Sequence, residues 1–150
     1  MIRVQREDFD PGAEIARLTA GRRDIGALVA FTGLVRDMSE GAGVRAMTLE
    51  HYPGMTEAAL RGIREEAIAR FALSEAVIVH RVGRLVAGER IVFAAAAAPH
   101  RADAFAACAF LVDYLKTRAP FWKKEETGAG ARWVAARAAD EAATARWEDK

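Results

Sequence analysis

The stretch DYLKTRAPFWKKEE, residues 113–126, joins the end of a predicted helix to a predicted strand through an Ala-Pro-Phe-Trp turn. Four cations flank this turn, namely Lys116, Arg118, Lys123 and Lys124. Because proline cannot continue a helix, the chain leaves the helix here and begins a new element. Bulky aromatic residues beside so many cations are more than folding requires, so we expect the turn to border a functional site.

Lys116 continues an apolar stripe on the preceding helix. Phe105, Ala109, Val112 and Lys116 follow a 4-3-4 spacing, which stacks them on one helical face. An amine held beside apolar neighbours loses hydration, so we expect the charged form to be disfavoured and the amine to suit nucleophilic or proton-transfer chemistry. A lysine that snorkels at a helix C-terminus, where the dipole favours a cation, fits the same spacing.

The composition is that of an ordinary globular protein. The chain has 150 residues, of which 52% are hydrophobic and 29% charged, so we expect one domain over residues 1–150. A net charge of +1 without a long Lys/Arg run argues against general binding to nucleic acid or to a membrane surface. The N-terminus lacks a signal pattern and no 18-residue apolar run is present, which predicts a soluble, cytoplasmic protein.

Cysteine, metal and cofactor chemistry have little support in the sequence. The single cysteine, Cys108, lies among alanines in a predicted helix, without the cationic neighbour that would activate a thiol. The three histidines are too far apart for a local zinc signature. Because the motifs of P-loop, dinucleotide-binding and serine-hydrolase proteins are also missing, we expect neither a metal nor a bound cofactor.

Strands and helices alternate along the chain without a linker. Apolar and alternating patterns predict strands over residues 2–5, 25–33, 44–52, 75–82, 89–97, 121–127 and 131–135. Helical periodicity and start signals predict helices over residues 11–19, 55–70 and 102–117, with a frayed helix over residues 138–150. The continuously apolar strand 25–33 is expected to be buried, residues 36–43 to form a mobile polar loop, and residues 83–88 a turn.

Two further positions suit anion binding. His100 and Arg101 begin the helix that follows Pro99, where unpaired backbone N–H groups and the helix dipole attract phosphate. A helix cap with solvated side chains would give the same sequence. Arg36 ends the 25–33 strand region beside a glycine-rich loop, a common place for ligand contacts, although arginine also ends many strands at a surface.

Six segments carry a close resemblance to one known family. They are FTGLVR at 31–36, LEHYPGMTE at 49–57, HRVG at 80–83, PHR at 99–101, DYLKTRAPFWKKE at 113–125 and RWV at 132–134. In this order, over roughly residues 26–134, they resemble the large, catalytic subunits of molybdopterin synthase. The departures are mild, such as Leu34 where lysine is common and the plain alanine run before Pro99.

The resemblance implies a fold, a reaction and partners. The fold would be α+β, with an α/β hammerhead-like core and additional antiparallel β-strands. The reaction would be a sulfur transfer that converts cyclic pyranopterin monophosphate to the dithiolene of molybdopterin. The sulfur would come from the C-terminal Gly-Gly thiocarboxylate of a small ubiquitin-like partner, so no reactive cysteine is needed. Family members are homodimers of the large subunit, with a small subunit at each end.

The resemblance also implies roles for individual residues. Lys116 would be the central catalytic amine and Lys123 its partner as proton donor or electrostatic stabiliser. Phe31 would form part of the pocket wall. The substrate-binding set would comprise Leu34, Val35, Arg36, His100, Arg101, Lys116, Lys123, Lys124 and Glu125. Alternation along a strand sends Lys123 and Lys124 to opposite faces, so Lys124 is the weaker candidate.

Two other classes of protein would use the same cations. A binding module for an acidic C-terminal tail would need them without any catalysis, although it would have little reason for Lys116 on an apolar stripe. A regulator that binds a small anion or nucleotide would use His100 and Arg101 at the helix start and would need no protein partner.

Overall fold

The computed structural model describes residues 1–39, 41–134 and 138–148. The strands in this part of the chain are β1 (Ile2–Gln5), β2 (Ala27–Leu34), β3 (Met38–Ser39), β4 (Ala42–His51), β5 (Glu75–Arg81), β6 (Gly83–Val86), β7 (Arg90–Ala98), β8 (Phe121–Thr127) and β9 (Gly130–Val134). The helices are α1 (Pro11–Thr19), α2 (Met55–Phe71), α3 (Arg101–Thr117) and α4 (Ala138–Glu148). The predicted α+β class with additional antiparallel strands is confirmed.

The first sheet has the strand order β1-β5-β7-β2. Only the β1–β5 pair is parallel, and the other neighbours are antiparallel. Helices α2 and α3 cover one face of this sheet, where Leu60, Ile63 and Phe110 lie in the main core. Helix α1 covers the other face, where Leu18 packs in a second core with Phe93. The N-cap side chain of Asp10 accepts hydrogen bonds from the first turn of α1 and fixes where that helix begins.

The alanine run at residues 94–98 forms the end of β7, as predicted. All five alanines have 0% exposure because helices cover both faces of this central strand. Their small side chains allow close packing of α3, and the Cys108 thiol approaches the Ala94 carbonyl oxygen at 3.7 Å. Since interiors are packed like crystals, a larger side chain in this run would have to displace a helix.

The second sheet has the strand order β3-β4-β8-β9. Its fifth strand, β6, lies off this path and also pairs with β4. The β4–β8 pairing sets Leu49 opposite Lys123 and Thr48 opposite Lys124. A third core of Val35, Val44, Leu49 and Leu85 lies under this sheet. Strand β8 begins directly after the turn at Pro120, so the sheet carries Lys123 back toward the end of α3.

Three predictions about local structure are wrong. Strand β2 is not buried, because among the described strands it pairs only with β7 and lies at the edge of its sheet. The expected loop at residues 36–43 contains β3, which pairs antiparallel with the start of β4. The expected turn at residues 83–88 contains β6, which pairs with β4. Glu40 and Ala135, which fall in the predicted loop and the last predicted strand, lie outside the described residues.

The predicted C-terminal helix is confirmed over residues 138–148, and fraying of its end stays a prediction. The Asp113 carboxylate on α3 accepts hydrogen bonds at 2.7 Å from Arg146 and from the Trp147 indole N–H. The Trp147 ring also contacts Phe71 and Phe110 edge-on, at centroid distances of 5.8 and 5.6 Å. A buried tryptophan with a satisfied N–H holds α4 on α3. The predicted residues 149–150 lie outside the described part of the chain.

Candidate active site

A cavity of about 360 Å³ opens between β2, the last turns of α3 and the start of β8. Its lining includes Phe31, Leu34, Arg36, His80, Lys116 and Lys123. Apolar side chains form much of the remaining wall, including Val112 on α3 and Ile91 on β7. A mostly apolar concavity with a few convergent polar groups is the usual form of a small-molecule site.

The Lys123 side chain is the less exposed of the two lysine amines in the cavity. It is half-buried on β8, and its pKa falls from 10.5 to about 8. Burial is the largest cause, followed by the charge of Lys116 and a side-chain hydrogen bond with it. Asp140 on α4 and Glu125 act in the opposite direction and favour the charged amine. An amine whose pKa lies near neutral pH can exchange a proton during a reaction.

The expectation that Lys116 is buried on an apolar stripe is wrong. Lys116 is exposed in the last turn of α3, and Phe105 at the other end of the stripe is 64% exposed. The buried side of α3 is a neighbouring face, formed by Ala107, Phe110 and Leu111 among others. Lys116 nevertheless lines the cavity and adjoins Lys123, so the two predicted catalytic amines do come together.

His80 lines the cavity and was not predicted as a site residue. The side chain is 5% exposed, and burial lowers its pKa to about 3, assisted by the charges of Lys123 and Lys116. Its ring stacks on Phe121, with centroids 3.7 Å apart and planes 15° apart. The only sequence signal was its place near the end of a predicted strand and within the HRVG segment.

The strand region 31–36 divides between the cavity and the core. Phe31, Leu34 and Arg36 line the cavity, with Phe31 37% and Leu34 53% exposed. Val35 is 2% exposed in the third core, and its backbone N–H donates to the Glu89 carbonyl. Its side chain does not line the cavity, so a role in substrate binding stays a prediction.

His100 and Arg101 lie at the opposite end of α3 from the cavity. Both are exposed, and His100 is the N-cap residue without a side-chain capping hydrogen bond. With a rise of 1.5 Å per residue, Arg101 lies about 22 Å along the helix from Lys116. Within one chain, the predicted phosphate-binding pair and the predicted catalytic pair are therefore not brought together.

Lys124 and Glu125 do not line the cavity. As expected from strand alternation, Lys124 faces away from Lys123, and its amine lies 5.6 Å from the centroid of the Trp133 ring. Glu125 is 3% exposed and accepts a hydrogen bond of 3.0 Å from the Ser39 hydroxyl. It also lies 4.0 Å from the Arg132 guanidinium. Direct contact of either residue with a substrate stays a prediction.

The charge of the cavity indicates its kind of ligand. Arg36, Lys116 and Lys123 contribute cationic groups, and no carboxylate occurs among the lining residues in the described part of the chain. Positive charge in a partly dry concavity stabilises anions more strongly than it would in water. Fold and cavity together define a small α+β protein with a site for an anionic ligand.

Comparison with known proteins gives the family. The family model described as MoaE protein matches residues 4–118. The molybdopterin synthase catalytic subunit of Ralstonia nicotianae is 59% identical over 146 residues, which cover 97% of this chain and 83% of that protein. The subunit of the same name from Pseudomonas aeruginosa is 56% identical over 148 residues, with 99% of each chain covered. The chain belongs to the MoaE family.

Solved structures share the fold. The molybdopterin biosynthesis MoaE protein from Burkholderia ambifaria superposes with a TM-score of 0.84 at 56% identity, covering 98% of this chain and 97% of that one. A complex of subunits 1 and 2 of the molybdopterin-converting factor from Helicobacter pylori contains a chain that matches with a TM-score of 0.74. That match covers 91% of each chain, and its 15% identity shows the fold alone.

Proposed function

We propose that this chain is the catalytic subunit of a molybdopterin synthase, a sulfur transferase of molybdopterin biosynthesis. The substrate is cyclic pyranopterin monophosphate, and two sulfurs are added to it in succession. The observation that supports this most directly is the meeting of Lys116 and Lys123 in a cationic cavity of a MoaE-family chain.

The cavity fits the charges of the proposed reactants. The substrate carries an anionic cyclic phosphate, and the incoming thiocarboxylate is anionic as well. Arg36, Lys116 and Lys123 can hold two anions close together, which lowers the repulsion that would otherwise keep them apart. The apolar wall excludes water and strengthens these interactions.

The two lysines take different roles in this proposal. Lys116 is the central amine, which either attacks the substrate or polarises it as sulfur adds. Lys123, with a pKa of about 8, is mostly protonated near neutral pH but close enough to its pKa to exchange a proton, and it serves as the proton donor or acceptor. The Lys116 charge that lowers the pKa of Lys123 would be offset by a bound anion, so substrate binding would favour the protonated, proton-donating form of Lys123.

The sulfur donor in this proposal is a small ubiquitin-like subunit that ends in a Gly-Gly thiocarboxylate. Its narrow, extended tail would enter the cavity beside Lys123. The sulfur then arrives with the partner, which agrees with the inert surroundings of Cys108, whose thiol is buried and has a pKa raised to about 11. The complex would act in the cytoplasm.

In a homodimer, His100 and Arg101 of one copy could reach the cavity of the other copy. They lie too far along α3 to reach the cavity of their own chain, but a second copy could present its helix start to that cavity. The exposed edge of β2, which borders the cavity, leaves room for such an approach. His100 and Arg101 would then bind the substrate phosphate with the backbone N–H groups of the helix start.

One assay tests the proposal against its rivals. The chain is mixed with a thiocarboxylated small subunit and cyclic pyranopterin monophosphate, and dithiolene product is measured. We expect product that requires all three components. Partner binding without product would indicate a binding module, and substrate binding without any effect of the partner would indicate a regulator.

A further inference from the structure

The His80 ring has one tautomer fixed by the main chain. Its Nδ1 lies 2.9 Å from the carbonyl oxygen of Arg81. Because a carbonyl oxygen can only accept, Nδ1 must carry the hydrogen of this bond. In a neutral imidazole the other nitrogen, Nε2, is then unprotonated and offers a lone pair.

The ring orientation is fixed as well. Stacking on Phe121 and an exposure of 5% leave the ring little freedom to rotate. Nδ1 is turned back to the backbone, so the opposite edge of the ring, with Nε2, faces the cavity that His80 lines. Among the described residues, no hydrogen-bond partner for Nε2 is found.

An uncharged acceptor has a specific value in this cavity. The lining residues supply many donors through Arg36, Lys116 and Lys123, but in the described chain only Thr32 and His80 offer side-chain acceptors. A carboxylate would form ion pairs with the lysines and cancel the positive charge that anions need. A neutral imidazole accepts a hydrogen bond without that cancellation. Burial and the two lysine charges keep His80 neutral, with a pKa of about 3.

We propose that His80 orients the substrate by accepting a hydrogen bond at Nε2 from an N–H or O–H group of its heterocyclic ring. The cations hold the anionic groups, which fix where the ligand lies but leave its ring free to turn over. A single acceptor at a fixed position distinguishes the two orientations, because the wrong one leaves a donor of the ligand unpaired. This role rests on the proposed function, since it takes a reduced pterin as the ligand.

Two variants distinguish the contribution of the His80 hydrogen-bond acceptor from that of its aromatic ring. His80→Phe keeps an aromatic ring for the stack on Phe121 but removes the acceptor, whereas His80→Gln places an amide oxygen near the position of Nε2. Substrate affinity is measured by calorimetry in the complex with the small subunit. We expect His80→Phe to bind the substrate about tenfold or more weakly and His80→Gln to stay within about threefold of wild type, because an unpaired buried donor costs far more than an exchanged acceptor. Partner affinity should be unchanged in both.

A measurement on the wild-type chain avoids the risk that a variant fails to fold. With ¹⁵N-labelled histidine, the Nε2 resonance of His80 should have the position of an unprotonated nitrogen and should move when substrate saturates the site. A resonance that stays in place at saturation would overturn the proposal, as would equal affinity of folded His80→Phe and wild type. Equal weakening of substrate binding by both variants would also overturn it, because the loss would then come from the changed shape of the side chain and not from the missing acceptor. If the wild-type complex binds no substrate, the proposed function itself fails and this role fails with it.

Discussion

Replacing Lys123 with methionine should make the protein more stable while it abolishes sulfur transfer. The folded state holds the Lys123 amine in a half-buried site, where its pKa is lowered from 10.5 to about 8. At neutral pH the folded chain therefore carries a charge in a place that disfavours it. Methionine has a similar length and no charge, so Lys123→Met removes this penalty and keeps the apolar contacts of the stem.

The size of the effect follows from the pKa. One pKa unit corresponds to about 1.4 kcal/mol, so the difference between 10.5 and about 8 sets an upper limit of about 3 kcal/mol. We expect a gain of about 1–3 kcal/mol in the free energy of unfolding near pH 7, which for a chain of this size raises Tm by about 3–10 °C. Stability gained at the expense of activity is a common property of functional sites.

The lowered pKa of Lys123 also determines how the stability of the wild-type chain changes with pH. Between pH 8 and 10.5 the unfolded chain keeps the Lys123 proton while the folded chain has lost it, so wild-type stability rises with pH in this window. The penalty is fully present below pH 8 and absent above pH 10.5. The stability gap between Lys123→Met and wild type should therefore close as the pH rises.

Denaturant unfolding near pH 7 and about pH 10, at one fixed protein concentration, measures this gap. Lys124→Met is the matched control, because Lys124 lies on the opposite face of β8 near Trp133. It should lose no more than about 0.5–1 kcal/mol of cation–π attraction and show none of the gain in stability expected of Lys123→Met. A Lys123→Met chain that is less stable than wild type near pH 7, or a gap of constant size, would refute the reasoning.

Three further outcomes are expected from single substitutions. Lys116→Ala should lower product formation more than tenfold, a barrier change above about 1.4 kcal/mol, with partner binding intact; a rate assay showing more than about a tenth of wild-type activity would exclude the central role. Arg101→Ala should weaken substrate binding more than partner binding in calorimetric titrations at two salt concentrations, and equal losses would mean that Arg101 supports the assembly instead. Cys108→Ala should leave sulfur transfer nearly intact because its thiol is buried with a pKa of about 11, whereas a large loss at unchanged Tm would point to a cysteine mechanism.

Local patterns in the sequence were enough to predict most helices and strands. The helical period of residues 55–70 and the proline before α3 are local signals, so both helices lie close to their predicted bounds. The exposure of β2 could not be predicted in this way, because an apolar run has the same appearance in a central strand and in an edge strand. The sheet order that decides between them depends on pairing with β7, more than fifty residues away.

The burial and protonation of the site residues were harder to predict than which residues line the site. The family resemblance named Lys116 and Lys123, but which of the two is less exposed depends on long-range contacts such as the β4–β8 pairing. His80 was missed because its fixed tautomer comes from the Arg81 carbonyl and the Phe121 ring, and neither contact leaves a periodic signal. The docking of α4 could not be predicted from local patterns, because the partners of Trp147 lie on α2 and α3.

The docking of α4 also couples the C-terminal helix to the charge state of Lys123. The Asp140 charge on α4 favours the protonated form of Lys123, and α4 is held on α3 by the contacts of Arg146 and Trp147 with Asp113. A chain whose sheets have formed but whose α4 is still undocked would hold a more acidic Lys123 than the finished protein.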